Sequence, residues 1–195
     1  MMFKDIVAKN RSYRRFYQQE AVSEETLKEL IALARLVPSG ANAQALKFMP
    51  VNSPEDNAKL FDTIGWAGAL PDWDGPAPGE RPAAYIIVLC DLSIGKNKQT
   101  DVGIAAQTIL LGAVSEGLGG CMLGNIRRSV IAGDFGIDTE KYSIELVIAL
   151  GKPKEEIHIA DVKDGNTKYY RDENMVHYVP KRSLEELIVL PERNI

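Results

Sequence analysis

The stretch TDVGIAAQTILLGAVSEGLGG, from Thr100 to Gly120, predicts the central helix of the fold. Thr100 suits the N-cap position, and Asp101 suits the first turn because a carboxylate interacts favourably with the positive end of the helix dipole. The glycines at 117–120 are typical of a helix end. Apolar residues occupy nearly every face between these ends, so the helix is expected to be buried on all sides.

Before this helix, the chain predicts two helices, a strand and a third helix. Apolar spacing marks the first two in FKDIVAKN and SEETLKELIALARLV, the second of them capped by Ser23 and ended by Pro38. The segment LKFMPV then predicts a short strand. In SPEDNAKLFDTI, Ser53 is a good N-cap and Pro54 suits the first helical position, so a third helix follows.

Two buried strands are also predicted. The run AAYIIVLCD, residues 83–91, is continuously apolar and β-branched in its middle, which favours a parallel or central position in a sheet. The run YSIELVIALGKP predicts a core strand that closes at Gly151 and Pro153. A short helix is expected in RRSVIAGDFG, and a last helix should begin at Ser183, where Glu186 completes a capping box.

Composition indicates one globular domain, residues 1–195, and limits the classes of function. Of the residues, 45% are hydrophobic and 26% are charged, which is ordinary for a soluble chain. The formal net charge of −4 argues against nucleic acid as a partner, and the longest apolar runs are too short to cross a membrane. Without a secretory signal or a CxxC pair, Cys90 and Cys121 are expected to be reduced thiols in the cytoplasm. His158 and His177 lack ligand spacing, so no metal site is expected.

Three polar segments are candidates for a binding site. They are RSYRRF, residues 11–16; PSGANAQ, residues 38–44; and the pair Lys181 and Arg182. Each has an ordinary explanation by itself, as a solvated basic turn, a helix-ending turn or surface charge. However, two cations directly before the N-terminus of a helix oppose its dipole, and an anion bound there would relieve that cost.

In combination, the order and spacing of Arg-Ser-x-Arg and Pro-Ser-x-x-Asn-x-Gln resemble the nitroreductase family of FMN-dependent flavoproteins. The long apolar helix ending in GLGGCMLG, the strand closing in ALGKP and the basic pair in the tail extend the resemblance over nearly the whole chain. The family implies an α+β, three-layer fold with a central mixed β-sheet flanked by helices. It also implies an intertwined homodimer that binds FMN at each subunit interface, with the helix from Asp101 to Gly117 at the centre of the dimer. A core helix of a monomer is the alternative.

The resemblance assigns roles to individual residues. Arg11 and Ser12 would meet the flavin phosphate and ribityl chain, and Arg14 would lie near the pyrimidine edge, where a guanidinium stabilises the charge of the reduced ring. Hydrogen-bonding groups would come from the partner subunit, at Pro38, Ser39, Asn42 and Gln44. The flavin ring would be contacted by Met122, Leu123 and Gly124, which would pack on it or donate hydrogen bonds to it. The phosphate would be bound by Lys181 and Arg182.

The chain departs from the family pattern at three positions. Asn10 stands where many relatives have a second arginine, so phosphate binding is expected to depend more on Lys181 and Arg182. Ala45 and Leu46 stand where relatives often have Pro-Trp, which leaves the substrate less certain than the cofactor.

The segment 65–82, with four prolines, four glycines and both tryptophans, is expected to be a long loop. Trp66 and Trp73 would either face a flat substrate over the flavin or anchor this loop to the body of the protein. Tyr169, Tyr170 and Arg171 in the tail have the same two interpretations.

The implied activity is a ping-pong transfer of hydride from NADH or NADPH, through FMN, to a small, flat, electron-poor acceptor such as a nitroaromatic or a quinone. No side chain would serve as nucleophile or metal ligand. Two alternatives remain open. One is a specialised chemistry of the same family, such as flavin fragmentation, dehalogenation or dehydrogenation, and the other is a non-catalytic flavin carrier. The sequence does not choose between NADH and NADPH.

Overall fold

The computed structural model describes residues 1–70, 72–96 and 98–191. Its elements follow one another along the chain as six helices and seven strands within these ranges. They are α1 Phe3–Lys9, α2 Glu24–Arg35, β1 Leu46–Val51, α3 Pro54–Phe61, β2 Ala84–Asp91, α4 Gln99–Ser115, β3 Gly119–Leu123, α5 Arg128–Asp134, β4 Tyr142–Gly151, β5 Ile157–Asp161, β6 Tyr170–Arg171, β7 His177–Lys181 and α6 Leu184–Leu187. A short 3-10 turn spans Gly40–Asn42.

The helix caps confirm the predicted starts of α2, α3 and α6. Ser23 Oγ accepts a hydrogen bond from the Thr26 amide at 3.0 Å, and Ser53 Oγ accepts one from Asp56 at 3.1 Å. Ser183 and Glu186 form the predicted capping box. Each cap satisfies an amide that has no partner inside its own helix.

The main sheet has four strands in the order β1-β2-β4-β3. The prediction that β2 is buried and central is confirmed, but the parallel alternative is wrong, because β2 pairs antiparallel with both β1 and β4. A parallel bridge between Ser12 and Gly120 lies at the β3 edge. All the strand pairs of this sheet are antiparallel in the described residues, and the bridge to the irregular segment at Ser12 adds the parallel pairing that makes the sheet mixed.

The two faces of the sheet carry separate cores, which gives the expected three layers. Alternate residues of β2 face opposite sides, as the period of a strand requires. Ile86 and Val88 pack against α2 and α4, whereas Tyr85 and Ile87 pack with the core that includes Leu60 of α3 and residues of α5. The fold is α+β, as expected.

The helix α4 differs from its prediction in two ways. It begins at Gln99 with Lys98 at the N-cap, so Thr100 is inside the first turn, and Asp101 instead accepts a hydrogen bond from the Gly40 amide at 2.9 Å. One stripe of the helix is also exposed, at Gly103, Ile104 and Gln107, while its other faces are buried. Burial on all sides is therefore not achieved within one protomer.

The tail forms a second sheet that the sequence did not predict. Its order is β5-β7-β6, with β7 parallel to β5 and antiparallel to β6. The long loop is confirmed, since the described residues between 65 and 82 contain no helix or strand. Cys90 and Cys121 are buried free thiols. None of the helices in the described ranges is long and apolar enough to cross a lipid bilayer.

Candidate active site

A cavity of about 300 Å³ brings together residues from both ends of the chain. We call it the arginine cavity. It is lined by Asn10, Arg11, Ser12, Arg14, Gln107, Leu110, Met122, Tyr169, His177, Val179 and Lys181. Three of these residues are cations and none is an acid, so this part of an acidic protein has a locally positive potential.

Backbone pairing places the arginine segment in the cavity wall. The Tyr13 amide donates to the Gly120 carbonyl at 3.0 Å beside the Ser12–Gly120 bridge, so the segment lies along the edge of β3. A Cβ at Gly120 would collide with the backbone oxygen of Ala149. Only glycine lets β3 lie this close to β4, and the edge of β3 placed in this way holds the arginine segment beside Met122.

The strand period selects which side chains reach the cavity. On β7, the alternate residues His177, Val179 and Lys181 line it. On β3, Met122 lines it, whereas Leu123 points into the core on the other face of the sheet and Gly124 is not among the lining residues. A ring contact from the Leu123 side chain is therefore not supported by its position.

Arg11 has a donor group that is ready for a ligand. Its Nη2 donates to the Val7 carbonyl at 3.1 Å, but its Nε is buried and has no hydrogen-bond partner among the described residues. A buried donor left unpaired is costly, and an anionic oxygen in the cavity would satisfy it. Lys181 also lines the cavity, whereas Arg182 does not line it and pairs with Glu186 at 3.2 Å.

The PSGANAQ segment lies at a different cavity, of about 370 Å³. Pro38, Ser39 and Gln44 line it together with Asp101, and Asn42 does not. No described residue lines both cavities. Within one protomer, the structure therefore does not bring the two predicted halves of the flavin site together.

The turn in this segment has an unusual backbone. Ala41, Asn42 and Gln44 have positive φ angles of 52°, 50° and 53°, a region that non-glycine residues seldom occupy. The turn is held by the Gly40–Asp101 hydrogen bond and by a hydrogen bond from the Gln44 amide to Ser39 Oγ at 3.2 Å. Strained turns of this kind are frequent in binding sites.

The two tryptophans anchor the long loop. Trp66 is buried in the core, with its ring centroid 5.6 Å from that of Phe61. Trp73 packs against the same core and carries the Arg171 guanidinium 4.2 Å above its ring. Neither lines the arginine cavity, so their positions match the anchoring interpretation and do not support a substrate-side role.

The tail contributes cavity residues that sequence reasoning missed or left open. Tyr169 lines the cavity and lies under the Arg14 guanidinium, 5.0 Å from its ring centroid. His177 was judged only as a metal ligand, yet its buried ring is part of the wall. Tyr170 instead stacks outside on Tyr178 at 5.2 Å. If residues 177–181 had been predicted as a strand, the two-residue period would have put His177 and Lys181 on the same face of it.

Burial raises the pKa of the Cys121 thiol, which keeps it protonated and unreactive. Among the residues that the structure describes, no three His, Cys, Asp or Glu side chains are grouped to hold a metal ion. The arrangement is suited to bind an anionic, flat, polar molecule.

The comparisons agree with this fold. The model of the nitroreductase family matches residues 7–152, most of the chain, and the protein belongs to that family. The match includes the arginine segment, the PSGANAQ turn, α4 and β3, whereas β5, β6 and β7 lie beyond it.

Individual relatives are distant but cover most of the chain. A Bacillus subtilis protein named "Putative NAD(P)H nitroreductase YdgI" is 25% identical over 187 residues, covering 79% of this chain and 90% of its own. A Desulfovibrio desulfuricans nitroreductase structure in complex with FMN has a TM-score of 0.71 at 23% identity and covers 99% of this chain and 98% of its own. A gut-bacterial enone reductase structure has a TM-score of 0.69 at 18% identity, with 83% and 93% covered. These structural likenesses establish the nitroreductase fold.

Proposed function

We propose that this protein is an FMN-dependent oxidoreductase that transfers a hydride from NADH or NADPH to an electron-poor acceptor in a ping-pong cycle. The observation that carries the proposal is the convergence of Arg11, Arg14 and Lys181 on one acid-free cavity, with the Arg11 Nε unpaired. Family membership and the FMN complex of the Desulfovibrio relative support the choice of cofactor.

The residues present fit FMN. Arg11 and Lys181 would bind the phosphate, with Arg182 adjoining, and Ser12 would hydrogen-bond the ribityl chain. Arg14 would lie at the pyrimidine edge, where its positive charge favours negative charge on the ring. Met122 would pack on the ring, and the backbone of Leu123 and Gly124 would be near it.

Bound to these residues, FMN would supply the redox chemistry, by which a hydride from NADH or NADPH reaches the electron-poor acceptor. The protein binds and orients the reactants and tunes the charge around them. Its cysteines remain buried, and two unpaired thiols suit a reducing compartment, so a cytoplasmic location is part of the proposal.

A homodimer is also part of the proposal. Pro38, Ser39, Asn42 and Gln44 would reach the FMN of the other subunit, which would unite the two cavities that one protomer keeps apart. The exposed stripe of α4 and the exposed apolar residues of the tail, Leu184, Leu187, Ile188, Val189 and Leu190, support an interface between copies.

The test begins with the visible spectrum of the purified protein, with added FMN if it is colourless. Anaerobic addition of NADH, and separately of NADPH, should bleach the flavin bands. Stopped-flow mixing with a nitroaromatic, a quinone and an activated enone then identifies the acceptor class. The enone is included because one structural neighbour is an enone reductase.

The outcomes separate the alternatives. A protein that binds FMN but is not reduced by either nucleotide would be a flavin carrier. Loss of the bound flavin's own spectrum in air would indicate flavin fragmentation. A protein that takes up no FMN would overturn the proposed function.

A further inference from the structure

Glu155, between β4 and β5, has a fully buried side chain that joins several parts of the site. Its Oε2 accepts a hydrogen bond from the Arg14 backbone amide at 2.9 Å. Its Oε1 accepts one from Arg171 Nη2 at 2.6 Å and lies 3.3 Å from His177 Nδ1, an ion-pair distance without hydrogen-bond geometry. None of the roles assigned above uses this carboxylate.

The same carboxylate also supports the Arg14 side chain, through two aromatic contacts. The His177 ring stacks on Tyr169, with centroids 5.2 Å apart, and the Tyr169 ring lies under the Arg14 guanidinium at 5.0 Å. Arg14 is thus held by its backbone directly from Glu155 and by its guanidinium through His177 and Tyr169. Arg171, the other partner of Glu155, packs on Trp73 and so connects the long loop to the same cluster.

The cluster is electrostatically consistent. Burial by itself raises the pKa of Glu155, but contacts with His177, the Arg14 amide and Arg171 outweigh burial and lower this pKa below its usual value. A buried carboxylate with these partners is an anion, and an anion holds a backbone amide and a guanidinium more firmly than a neutral group does. Replacing Glu155 by glutamine keeps the shape of the side chain but removes its negative charge, so its contacts with the Arg14 amide and with Arg171 become weaker.

We propose that Glu155 is a positioning residue for Arg14. It does not line the cavity itself, but it would orient the Arg14 guanidinium towards the flavin. This inference rests on the proposed function. It predicts that the effect of Glu155 on FMN binding depends on the presence of the Arg14 guanidinium. A residue with a merely structural role would lower stability without such coupling.

The test is a double-mutant cycle on the apo-protein, with FMN affinity measured by quenching of flavin fluorescence. Glu155→Gln and Arg14→Ala should each weaken FMN by about tenfold, the size of one lost charge-assisted hydrogen bond. The loss in the double variant should be smaller than the two single losses combined, because Glu155 has no guanidinium left to position once Arg14 is alanine. Losses that add, or an unchanged affinity in Glu155→Gln, would overturn the inference.

Glu80→Gln is the matched control. Glu80 accepts hydrogen bonds at 2.6 and 2.8 Å from Arg15, the residue that follows Arg14, and it does not line the arginine cavity. Its loss should leave FMN affinity within about twofold of the wild type, because it removes no contact of the arginine cavity, whatever it costs in stability. An equal loss in both glutamine variants would contradict a specific role for Glu155.

If Glu155→Gln does not fold, the half-buried Tyr169 decides the question. Tyr169→Leu removes the ring between His177 and Arg14 and should weaken FMN binding, but it should add little to the loss in an Arg14→Ala background. Unchanged affinity in Tyr169→Leu, or a loss that adds fully to that of Arg14→Ala, would overturn the inference. A wild-type protein that binds no FMN would instead overturn the proposed function, so the two failures are distinguishable.

Discussion

Ser12 and Gly120 form a parallel β-bridge, and this backbone contact holds the arginine segment against the edge of the main sheet. Gly120 has no room for a side chain, because a Cβ would meet the Ala149 carbonyl oxygen. The arginine segment therefore depends on its bridge to β3, and β3 can pair this closely with β4 only with glycine at position 120.

Gly120→Ala is expected to lower the free energy of unfolding by about 1–3 kcal/mol, the usual cost of overpacking, and to weaken FMN binding. Urea unfolding and flavin titration measure the two effects. Gly133→Ala is the control, since a Cβ there meets nothing and the site is in helix α5. It should be neutral or stabilising by up to about 1 kcal/mol. Equal stability of the two variants would contradict the close approach at Gly120.

Arg14→Ala is expected to lower the two-electron reduction potential of bound flavin by about 30 mV and to slow reduction by NADH, because a positive charge near the reduced ring is lost. Spectroelectrochemistry measures the potential. Arg15→Ala is the control, because Arg15 pairs with Glu80 and does not line the cavity. A potential that is unchanged in Arg14→Ala, or equally changed in both variants, would remove Arg14 from this role.

Lys181→Ala is expected to weaken FMN by about tenfold and riboflavin much less, because only FMN carries the phosphate. Arg182→Ala should have a smaller effect, since Arg182 pairs with Glu186 and lies outside the cavity. The combined Lys181 and Arg182 variant should again affect FMN more than riboflavin. Equal losses for the two ligands would mean that neither residue binds the phosphate.

Ile104→Glu is expected to convert the proposed dimer to monomers and to release FMN, because a carboxylate would be buried in the proposed interface along α4. Sedimentation velocity measures the oligomeric state. Val130→Glu is a closely matched control, with 37% exposure against 36% for Ile104, but on α5. A wild-type protein that sediments as a monomer, or equal behaviour of both variants, would contradict the interface.

Glu80 makes part of the stability depend on acid pH. Hydrogen bonds from Arg15 are the main reason that the pKa of Glu80 falls from 4.5 to about 2, with Lys154 contributing and burial opposing. Because the folded pKa is the lower one, this stabilisation is complete above pH 4.5 and is lost as the pH falls towards 2.

Glu80→Gln should therefore cost about 1–2 kcal/mol at pH 7, a value reduced for partial exposure, and should make stability less dependent on pH below 4.5. Chemical unfolding at pH 7 and at acid pH measures both. Glu24→Gln removes only an exposed pair with Lys28 and should change little. A Glu80→Gln protein with the pH dependence of the wild type would contradict the assignment.

Much of the local structure could be predicted from short stretches. Ser23 and Ser53 cap helices through hydrogen bonds to residues three positions away, and the apolar run of β2 is confirmed as a buried strand. These features depend on neighbouring residues, so a sequence pattern contains the necessary information. The start of α4 was misplaced because Asp101 bonds to Gly40, far away in the chain.

The site could be predicted only as separate segments. RSYRRF, PSGANAQ and Lys181 were recognised by their residue types and their resemblance to a family. The second sheet was missed because its strands are short and pair across a long stretch of polar chain. Without this sheet, the sequence does not place His177 in the cavity. It also does not indicate a role for Glu155, because its partners Arg14, Arg171 and His177 are distant in sequence.

Sequence patterns were sufficient to predict the helices, the strands β1, β2 and β4, the long loop and the family, because caps, periodicity and ordered motifs are local properties. The tertiary structure decided which side chains share a cavity. Antiparallel pairing of the main sheet, the Ser12–Gly120 bridge and the period of β7 bring Arg11, Met122 and Lys181 together while leaving PSGANAQ at another cavity. Such convergence depends on long-range pairing and packing, which no short stretch of the chain encodes.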